Sequence, residues 1–233
     1  MSINDFINEI KKLGYEVSKE QLNQLEIYKN FMQEYNTHTN LTRIINDEDV
    51  YLKHFYDSLT IIKYIDLNKY STLLDLGTGA GFPGMILKIF YPNLKVTLLD
   101  SNNKKINFLK ELSNKLNISV ELVHDRSENY INNKRECFDI VVSRAMANLN
   151  SLLELSIPYV KINGYFIAMK GQAVEELENS KNIEKILGAE INSINEFDLK
   201  GQNRTIILYK KKKKTDNKYP RAYDKIKKNP IKC

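Results

Sequence analysis

The stretch Leu73–Gly84, which reads LLDLGTGAGFPG, decides the fold. An apolar run leads into Gly77, Gly79 and Gly81, and Pro83 then stands at a favoured first position of a helix. Glycines after a strand allow the backbone to turn tightly and to come close to a ligand. Because ligands bind at the carboxyl ends of strands in doubly wound sheets, the stretch predicts a binding loop between a strand and a helix.

Strand and helix signals alternate from this loop onward. We predict strands at Thr72–Leu76, Lys95–Asp100, Ser119–Val123, Phe138–Ser143, Gly164–Lys170, Glu190–Phe197 and Arg204–Tyr209. We predict helices at Ser18–Tyr35, Asp47–Ile65, Pro83–Tyr91, Asn103–Leu116, Leu149–Val160 and Ala173–Leu187. This alternation indicates a parallel sheet covered on both faces, and the last two strands, which lack a crossover helix, predict one antiparallel strand. The predicted fold class is α/β, with a Rossmann-like sheet of seven strands.

Three regions follow from the pattern. Residues 1–66 read as an N-terminal helical extension, because apolar and aromatic residues recur there at steps of three and four. Residues 67–210 carry the alternating strands and helices and form the expected cofactor-binding domain. Residues 211–233 are a basic C-terminal tail.

Positive charge is concentrated at the end of the chain. Residues 210–233 contain eleven Lys and Arg against Asp216 and Asp224, although the whole chain has a net charge of only +6. Such a segment predicts a polyanionic partner such as nucleic acid, and a solvated terminus that aids solubility is the alternative. We expect that removing residues 211–233 would weaken RNA binding and leave cofactor binding nearly intact.

Composition excludes several classes of protein. Hydrophobic residues make up 42% of the 233 and charged residues 27%, as in ordinary soluble domains. We expect no targeting segment and no membrane span. Cys137 and Cys233 form neither a disulfide framework nor a metal-ligand spacing, so we expect a cytoplasmic protein without a metal.

Two nucleotide chemistries compete for the glycine loop. Residues 79–84 match G-x-G-x-x-G, the dinucleotide fingerprint, which would indicate an NAD-dependent dehydrogenase. Residues 75–81 match D-x-G-x-G-x-G, as in motif I of class I methyltransferases, and place Asp75 where it suits a cationic methionine moiety better than a pyrophosphate. Asp100 ends the next strand and could accept hydrogen bonds from the ribose of either cofactor; capping the following helix is its alternative role.

The sequence as a whole resembles the RsmG family, also called glucose-inhibited division protein B, from about residue 30 to the tail. The motifs that carry the resemblance are Asn40-Leu41-Thr42, HFYDSL at 54–59, DLGTGAGFPG at 75–84, Leu99-Asp100-Ser101, Arg126-Ser127-Glu128, Ser143-Arg144-Ala145, Lys170-Gly171 and Tyr219-Pro220-Arg221. The sequence departs from the family after Arg221, where residues 222–226 replace a Gly-Thr-Pro-type turn. The placement of the tail on RNA therefore does not carry over.

The resemblance implies a class I methyltransferase fold and transfer of a methyl group from S-adenosylmethionine to N7 of a guanine in 16S ribosomal RNA. It implies cofactor contacts at Gly77, Phe82, Ser127, Glu128 and Arg144, and the glycine loop and the strand end add Gly79 and Asp100. The expected partner is 16S ribosomal RNA, within the small ribosomal subunit or an assembly intermediate. We also expect a monomer.

Guanine N7 has a lone pair and no proton, so its methylation needs no general base, and we expect catalysis by proximity and alignment. No residue is assigned as a catalytic acid or base. Arg144, Lys170 and Arg204 are candidates for substrate contacts, whereas packing explains His54 and Asp57 better. The alternatives are a methyltransferase acting on another RNA or a small molecule, an NAD-dependent dehydrogenase, and an RNA-binding module without catalysis.

Overall fold

The structure is a computed structural model and describes residues 1–231. Lys232 and Cys233, which close the predicted basic tail, lie outside the described residues. Within the described part of the chain, no helix is both long enough and apolar enough to cross a bilayer.

Residues 1–231 contain seven strands and nine helices that are numbered here, besides shorter helical segments and loops. The strands are β1 (Thr72–Leu76), β2 (Lys95–Asp100), β3 (Glu121–His124), β4 (Phe138–Arg144), β5 (Val160–Lys170), β6 (Ala189–Asp198) and β7 (Asn203–Lys211). The helices are α1 (Ile3–Lys12), α2 (Lys19–Thr39), α3 (Gly84–Phe90), α4 (Asn103–Leu116), α5 (Ser127–Tyr130), α6 (Leu149–Ser156), α7 (Val174–Asn179), α8 (Ile183–Ile186) and α9 (Tyr223–Lys228). A composite helical segment lies between α2 and β1 and consists of Asp47–Asp49 (α), Val50–Tyr56 (π), Asp57–Leu59 (α) and Thr60–Lys63 (3-10).

The strand order is β3-β2-β1-β4-β5-β7-β6. β2 and β3 are parallel, as are β1 with β4 and β4 with β5. β7 is antiparallel to both β5 and β6. The predicted α/β fold with seven strands is confirmed, and the expected antiparallel strand is β7.

Contacts divide the chain into two units. The first comprises Met1–Ser71 and Thr78–His124. The second comprises Thr72–Gly77 and the chain from Asp125 onward.

The first unit has an aromatic core. The helical N-terminal residues fold because α2 starts at a capping box, in which Ser18 and Gln21 satisfy each other's backbone amides. The apolar face of α2 then buries aromatic rings against the composite segment and α4. The fully buried rings include Phe6, Tyr28, Phe55 and Phe108.

The second unit is built on the continuous apolar strands that the sequence predicts. β4 and β5 bury Ile140, Val141 and Phe166 completely, and Phe166 stacks on Tyr209 of β7 with 5.8 Å between ring centroids. Strands that are apolar on both sides require cover on both faces, which explains their runs of buried residues.

Two predicted helices differ from the structure, since one is broken in two and the other ends early. The predicted helix Ala173–Leu187 is wrong as a single element, since it breaks into α7 and α8 around Asn182, which has φ 64°. Asn adopts this left-handed conformation more readily than most residues, so the helix stops there. The helix predicted to reach Val160 ends at Ser156 and continues as a 3-10 turn, because Pro158 has no amide proton to donate.

The basic tail is part of the fold of the second unit. Lys211 ends β7 and is buried, as are Thr215 and Ile226. Arg221 forms a bidentate pair with Glu154 of α6, which is 0% exposed, with contacts of 2.8 and 2.6 Å. Removal of residues 211–233 would leave a buried carboxylate without its partner, so we expect it to destabilise the second unit as well as to weaken RNA binding.

Candidate cofactor and RNA site

The glycine loop of the first unit is hydrogen-bonded to the end of β2. The Thr78 amide donates to the carbonyl of Leu99 at 3.0 Å, and the Gly79 amide donates to Asp100 Oδ2 at 2.9 Å. Asp100 Oδ1 accepts from the Asn102 amide at 2.8 Å. The carboxylate of Asp100 thus fixes the loop, and it retains lone pairs that can accept further hydrogen bonds.

Helix capping does not explain Asp100. The residue that caps α4 is Asn102, whose side chain accepts from the Lys104 amide at 2.9 Å. Asp100 is only 7% exposed and also lies 3.6 Å from the Lys105 ammonium. The capping alternative is therefore wrong, and the ribose contact remains a proposal.

One side of the loop is packed and another is open. At Gly81, which has φ +101°, a Cβ would lie 2.5 Å from the Tyr28 hydroxyl oxygen, so only glycine fits. The Tyr28 hydroxyl also donates to the Ala80 carbonyl. At Gly79, in contrast, a Cβ would meet nothing within 4 Å. A rigid backbone with open space beside it fits the close approach of a cofactor.

Phe82 and His54 are packed residues. The Phe82 ring stacks on Tyr28 with 5.2 Å between centroids and on His54 with 4.3 Å. His54 is buried, and its Nε2 lies 3.1 Å from Thr42 Oγ1, which confirms the interpretation of His54 as an interior residue. Asp57 is buried as well. Phe82 is only 4% exposed and its amide donates to the Thr78 carbonyl at 3.0 Å, so a cofactor contact at this position stays a prediction.

In the second unit, the segment after β4 lies against the end of β1. Ser143 Oγ donates to the Leu76 carbonyl at 2.7 Å. A Cβ on Gly77 would lie 2.7 Å from Met146 Cγ, so a larger residue would collide with this side chain. Ala145 has φ +53°, a strained conformation for a residue with a Cβ, and such strain is frequent at functional sites. No local sequence pattern pairs Met146 with Gly77, so the sequence does not indicate this contact.

Ser127 and Glu128 begin α5 beside Tyr159. Ser127 Oγ donates to the Leu155 carbonyl at 3.0 Å, and the Tyr159 hydroxyl donates to the Ser127 carbonyl at 2.5 Å. Burial raises the pKa of Tyr159, which therefore stays a hydrogen-bond donor at physiological pH. Glu128 Oε1 lies 3.8 Å from the Arg126 guanidinium. These contacts fix the start of α5, as expected for a binding segment.

The three cations predicted to contact substrate have different surroundings. Lys170 Nζ donates to the Ala147 carbonyl at 2.8 Å and pairs with Glu176 at 2.8 Å, and its side chain is only 8% exposed. The ammonium of Lys170 therefore holds the segment after β4, and its contact with substrate stays a prediction. Arg204 donates to the Asn203 carbonyl and to Gln202 Oε1 at 3.1 and 3.0 Å. Arg144 ends β4 and is half-buried.

Comparison with known proteins agrees with this geometry. The GidB family pattern, described as rRNA small subunit methyltransferase G, matches residues 21–207. A ribosomal RNA small subunit methyltransferase G of Oceanobacillus iheyensis is 46% identical over 99% of this chain and 100% of its own length. A protein of the same name from Bacillus thuringiensis is 45% identical over 99% of both chains.

Solved structures support the fold. A SAM dependent methyltransferase from Aquifex aeolicus aligns with a TM-score of 0.55 at 20% identity, covering 73% of this chain and 97% of its own. The PH0226 protein of Pyrococcus horikoshii aligns with the same TM-score at 16% identity, covering 76% and 96%. These likenesses show the Rossmann-like methyltransferase fold. With the match over residues 21–207 and relatives of nearly equal length, the chain belongs to the GidB family of small-subunit ribosomal RNA methyltransferases.

Proposed function

We propose that this chain transfers a methyl group from S-adenosylmethionine to N7 of a guanine in 16S ribosomal RNA. Family membership supports the reaction. The observation that carries the proposal is the glycine loop, which Asp100 holds in place and which leaves open space at Gly79.

The proposed cofactor residues are those that the resemblance implies, together with Gly79 of the glycine loop and Asp100 at the strand end. They are Gly77, Gly79, Phe82, Asp100, Ser127, Glu128 and Arg144. Gly79 and Phe82 would offer backbone groups, and Asp100 and Glu128 would accept hydrogen bonds from hydroxyl or amino groups. Ser127 uses its hydroxyl on Leu155, so it too would act through its backbone.

S-adenosylmethionine supplies an electrophilic methyl group on a positively charged sulfur. The chain's own contribution is binding and alignment, because guanine N7 already has its lone pair available. Arg144 is a donor that could hold either the base or the cofactor, and Lys170 keeps the neighbouring segment in place. No proton has to leave N7, so the proposal assigns no general base.

Exposed lysines of the C-terminal segment supply the proposed RNA contact. Lys212, Lys213, Lys214, Lys225, Lys227 and Lys228 are exposed. Phosphate contacts of this kind make binding depend on salt. We place the activity on the small ribosomal subunit or an assembly intermediate, in the cytoplasm and as a monomer.

The experiment that tests the proposal is transfer of labelled methyl from S-adenosylmethionine to small ribosomal subunits that lack the modification. Label in 7-methylguanosine would support it. Label in another nucleoside would overturn the N7 target, and no transfer to RNA would point to a small-molecule substrate.

A matched pair of variants tests the cofactor residues. Asp100→Asn should lose binding of S-adenosylmethionine, as measured by calorimetry, since the amide cannot accept two donors in the same way. Asp66→Asn removes the same charge from an exposed turn and should bind like the wild type. Equal affinities of the two variants would contradict the role of Asp100.

A further inference from the structure

A cavity of about 730 Å³ lies within the second unit, between the segment after β4, α7 and the C-terminal residues. Its size lies in the range of pockets that hold small molecules. The residues of its lining that matter here are Asn148, Ser151, Glu175, Asn179, Lys227 and Pro230. It therefore combines amides, a hydroxyl, a carboxylate, a cation and an apolar surface.

The walls of this cavity are held by hydrogen bonds. Glu176 pairs with Lys170 at 2.8 Å and accepts from the Leu149 amide at 2.7 Å, which ties α7 to the start of α6. Asn150 Nδ2 donates to the Asn179 carbonyl at 3.0 Å. Because Lys170 neutralises Glu176, the adjacent Glu175 is the carboxylate that the cavity offers to a ligand.

A carboxylate selects among nucleobases by their donors. Guanine presents two adjacent donors, N1–H and N2–H, on its Watson–Crick edge, and a carboxylate accepts both with its two oxygens. Adenine and cytosine place an acceptor beside their amino group, and uracil has one donor between two acceptors. Single-stranded RNA exposes these edges to proteins.

We propose that this cavity receives the guanine base of the RNA substrate and that Glu175 reads its Watson–Crick edge. The proposal rests on the function proposed above and names the residue that selects the base. Guanine N7 lies on the Hoogsteen edge, away from N1 and N2, so this mode of binding leaves the methyl acceptor accessible. Lys227 also lines the cavity and suits a phosphate of the same RNA, while Pro230 offers an apolar surface to the base.

Two variants on α7 test the assignment. Glu175→Gln replaces the carboxylate by an amide, and Glu178→Gln makes the same change on an exposed residue of the same helix that does not line the cavity. For Glu175→Gln, kcat/KM for RNA should fall by about ten- to a hundred-fold, the range for loss of a bidentate base contact. The affinity for S-adenosylmethionine should not change in either variant, and Glu178→Gln should methylate like the wild type.

Inosine in place of the methylated guanine sharpens the test, since it keeps N7 and lacks only the 2-amino group. The wild type should lose about ten-fold in kcat/KM on the inosine RNA, as expected for one missing hydrogen bond to a charged acceptor. For Glu175→Gln, kcat/KM should fall by a much smaller factor when inosine replaces the guanine. If the wild type forms 7-methylguanosine but Glu175→Gln matches Glu178→Gln, or inosine costs both proteins equally, the cavity assignment is overturned. If the wild type forms no 7-methylguanosine in unmodified subunits, the proposed function itself fails.

Discussion

The glycine loop of the first unit and the C-terminal segment of the second are held by different forces. Around the loop, the Phe82 ring stacks on Tyr28 and on His54, and the Asp100 carboxylate adds one charged acceptor for the Gly79 amide. In the C-terminal segment, Arg221 pairs with the buried Glu154 and Lys211 lies among carbonyl oxygens. Packing of rings depends little on salt or pH, whereas buried charge depends on its partner and its protonation state.

The difference divides the basic residues of the tail into two groups. Lys211 and Arg221 are structural, because their cationic ends are satisfied inside the protein. The exposed lysines are the ones that we propose to contact RNA. A run of like charges in the sequence therefore conceals two roles, and substitutions can separate them.

The largest expected effect comes from breaking the buried ion pair. Arg221→Ala should lower the free energy of unfolding by about 3–5 kcal/mol, because Glu154 would be left buried without its partner. Urea unfolding measures it. Lys218→Ala removes a nearby exposed cation, which pairs with Asp216, and should change stability by less than about 1 kcal/mol. Equal losses for the two variants would show that the tail is not held by this pair.

The second effect depends on pH and concerns Lys211. Its ammonium contacts the carbonyl of Ile157 and the hydroxyl of Thr215, and Glu136 lies 3.6 Å away. Burial lowers the pKa of Lys211 from its usual 10.5 to about 8, and Glu136 opposes this shift. Between these values the unfolded chain binds more protons than the folded chain, so stability should rise with pH.

Because of Lys211, the free energy of unfolding should rise by at most about 3 kcal/mol between pH 8 and 10.5. The measurement is the free energy of unfolding of the wild type and of Lys211→Met across this window. The Met variant has no ammonium to titrate, so its profile should lack this rise. Parallel profiles would mean that Lys211 titrates normally in the folded chain.

These predictions use contacts that the sequence could not supply. The bounds of β1, β2 and α4 agree with the predicted Thr72–Leu76, Lys95–Asp100 and Asn103–Leu116, since apolar runs and helix caps are local signals. The contact from Tyr28 to Ala80 joins residues 52 positions apart, and no local pattern indicates it. The burial of Lys211 was missed for the same reason, because its partners come from distant segments.

The site residues follow the same rule. The glycine pattern placed the loop and Asp100 correctly, because their spacing along the chain reflects strand ends. Lys170 also lies at a strand end, but its contacts with Glu176 and the Ala147 carbonyl involve other segments of the chain, which the sequence does not indicate. A sequence indicates where a residue lies more reliably than it indicates which group forms a hydrogen bond or an ion pair with that residue.

In the glycine loop, replacing a glycine by alanine adds one methyl group and therefore tests packing without altering charge. Gly81→Ala should lower the free energy of unfolding by about 2–4 kcal/mol, because the new methyl group adds a collision with Tyr28 and Leu109 to a positive φ. Gly14 also has a positive φ, +80°, but an added Cβ would meet nothing within 4 Å. Gly14→Ala should therefore lower the free energy of unfolding by only about 1 kcal/mol. Thermal unfolding compares the two variants. If both cost the same, backbone strain alone explains Gly81 and the Tyr28 contact is unimportant.

The smallest expected effect on stability belongs to the exposed lysines, and it separates the two groups of cations in the tail. Lys213→Ala with Lys214→Ala should leave the free energy of unfolding unchanged within about 0.5 kcal/mol, because both side chains are exposed. The slope of log affinity for RNA against log salt should become shallower by about 1–2, since each lost phosphate contact removes nearly one unit. Lys11→Ala with Lys19→Ala removes two exposed charges from the N-terminal helices and serves as the control. If the control pair changes the slope equally, RNA binding responds to the net charge of the protein and the tail lysines have no special role.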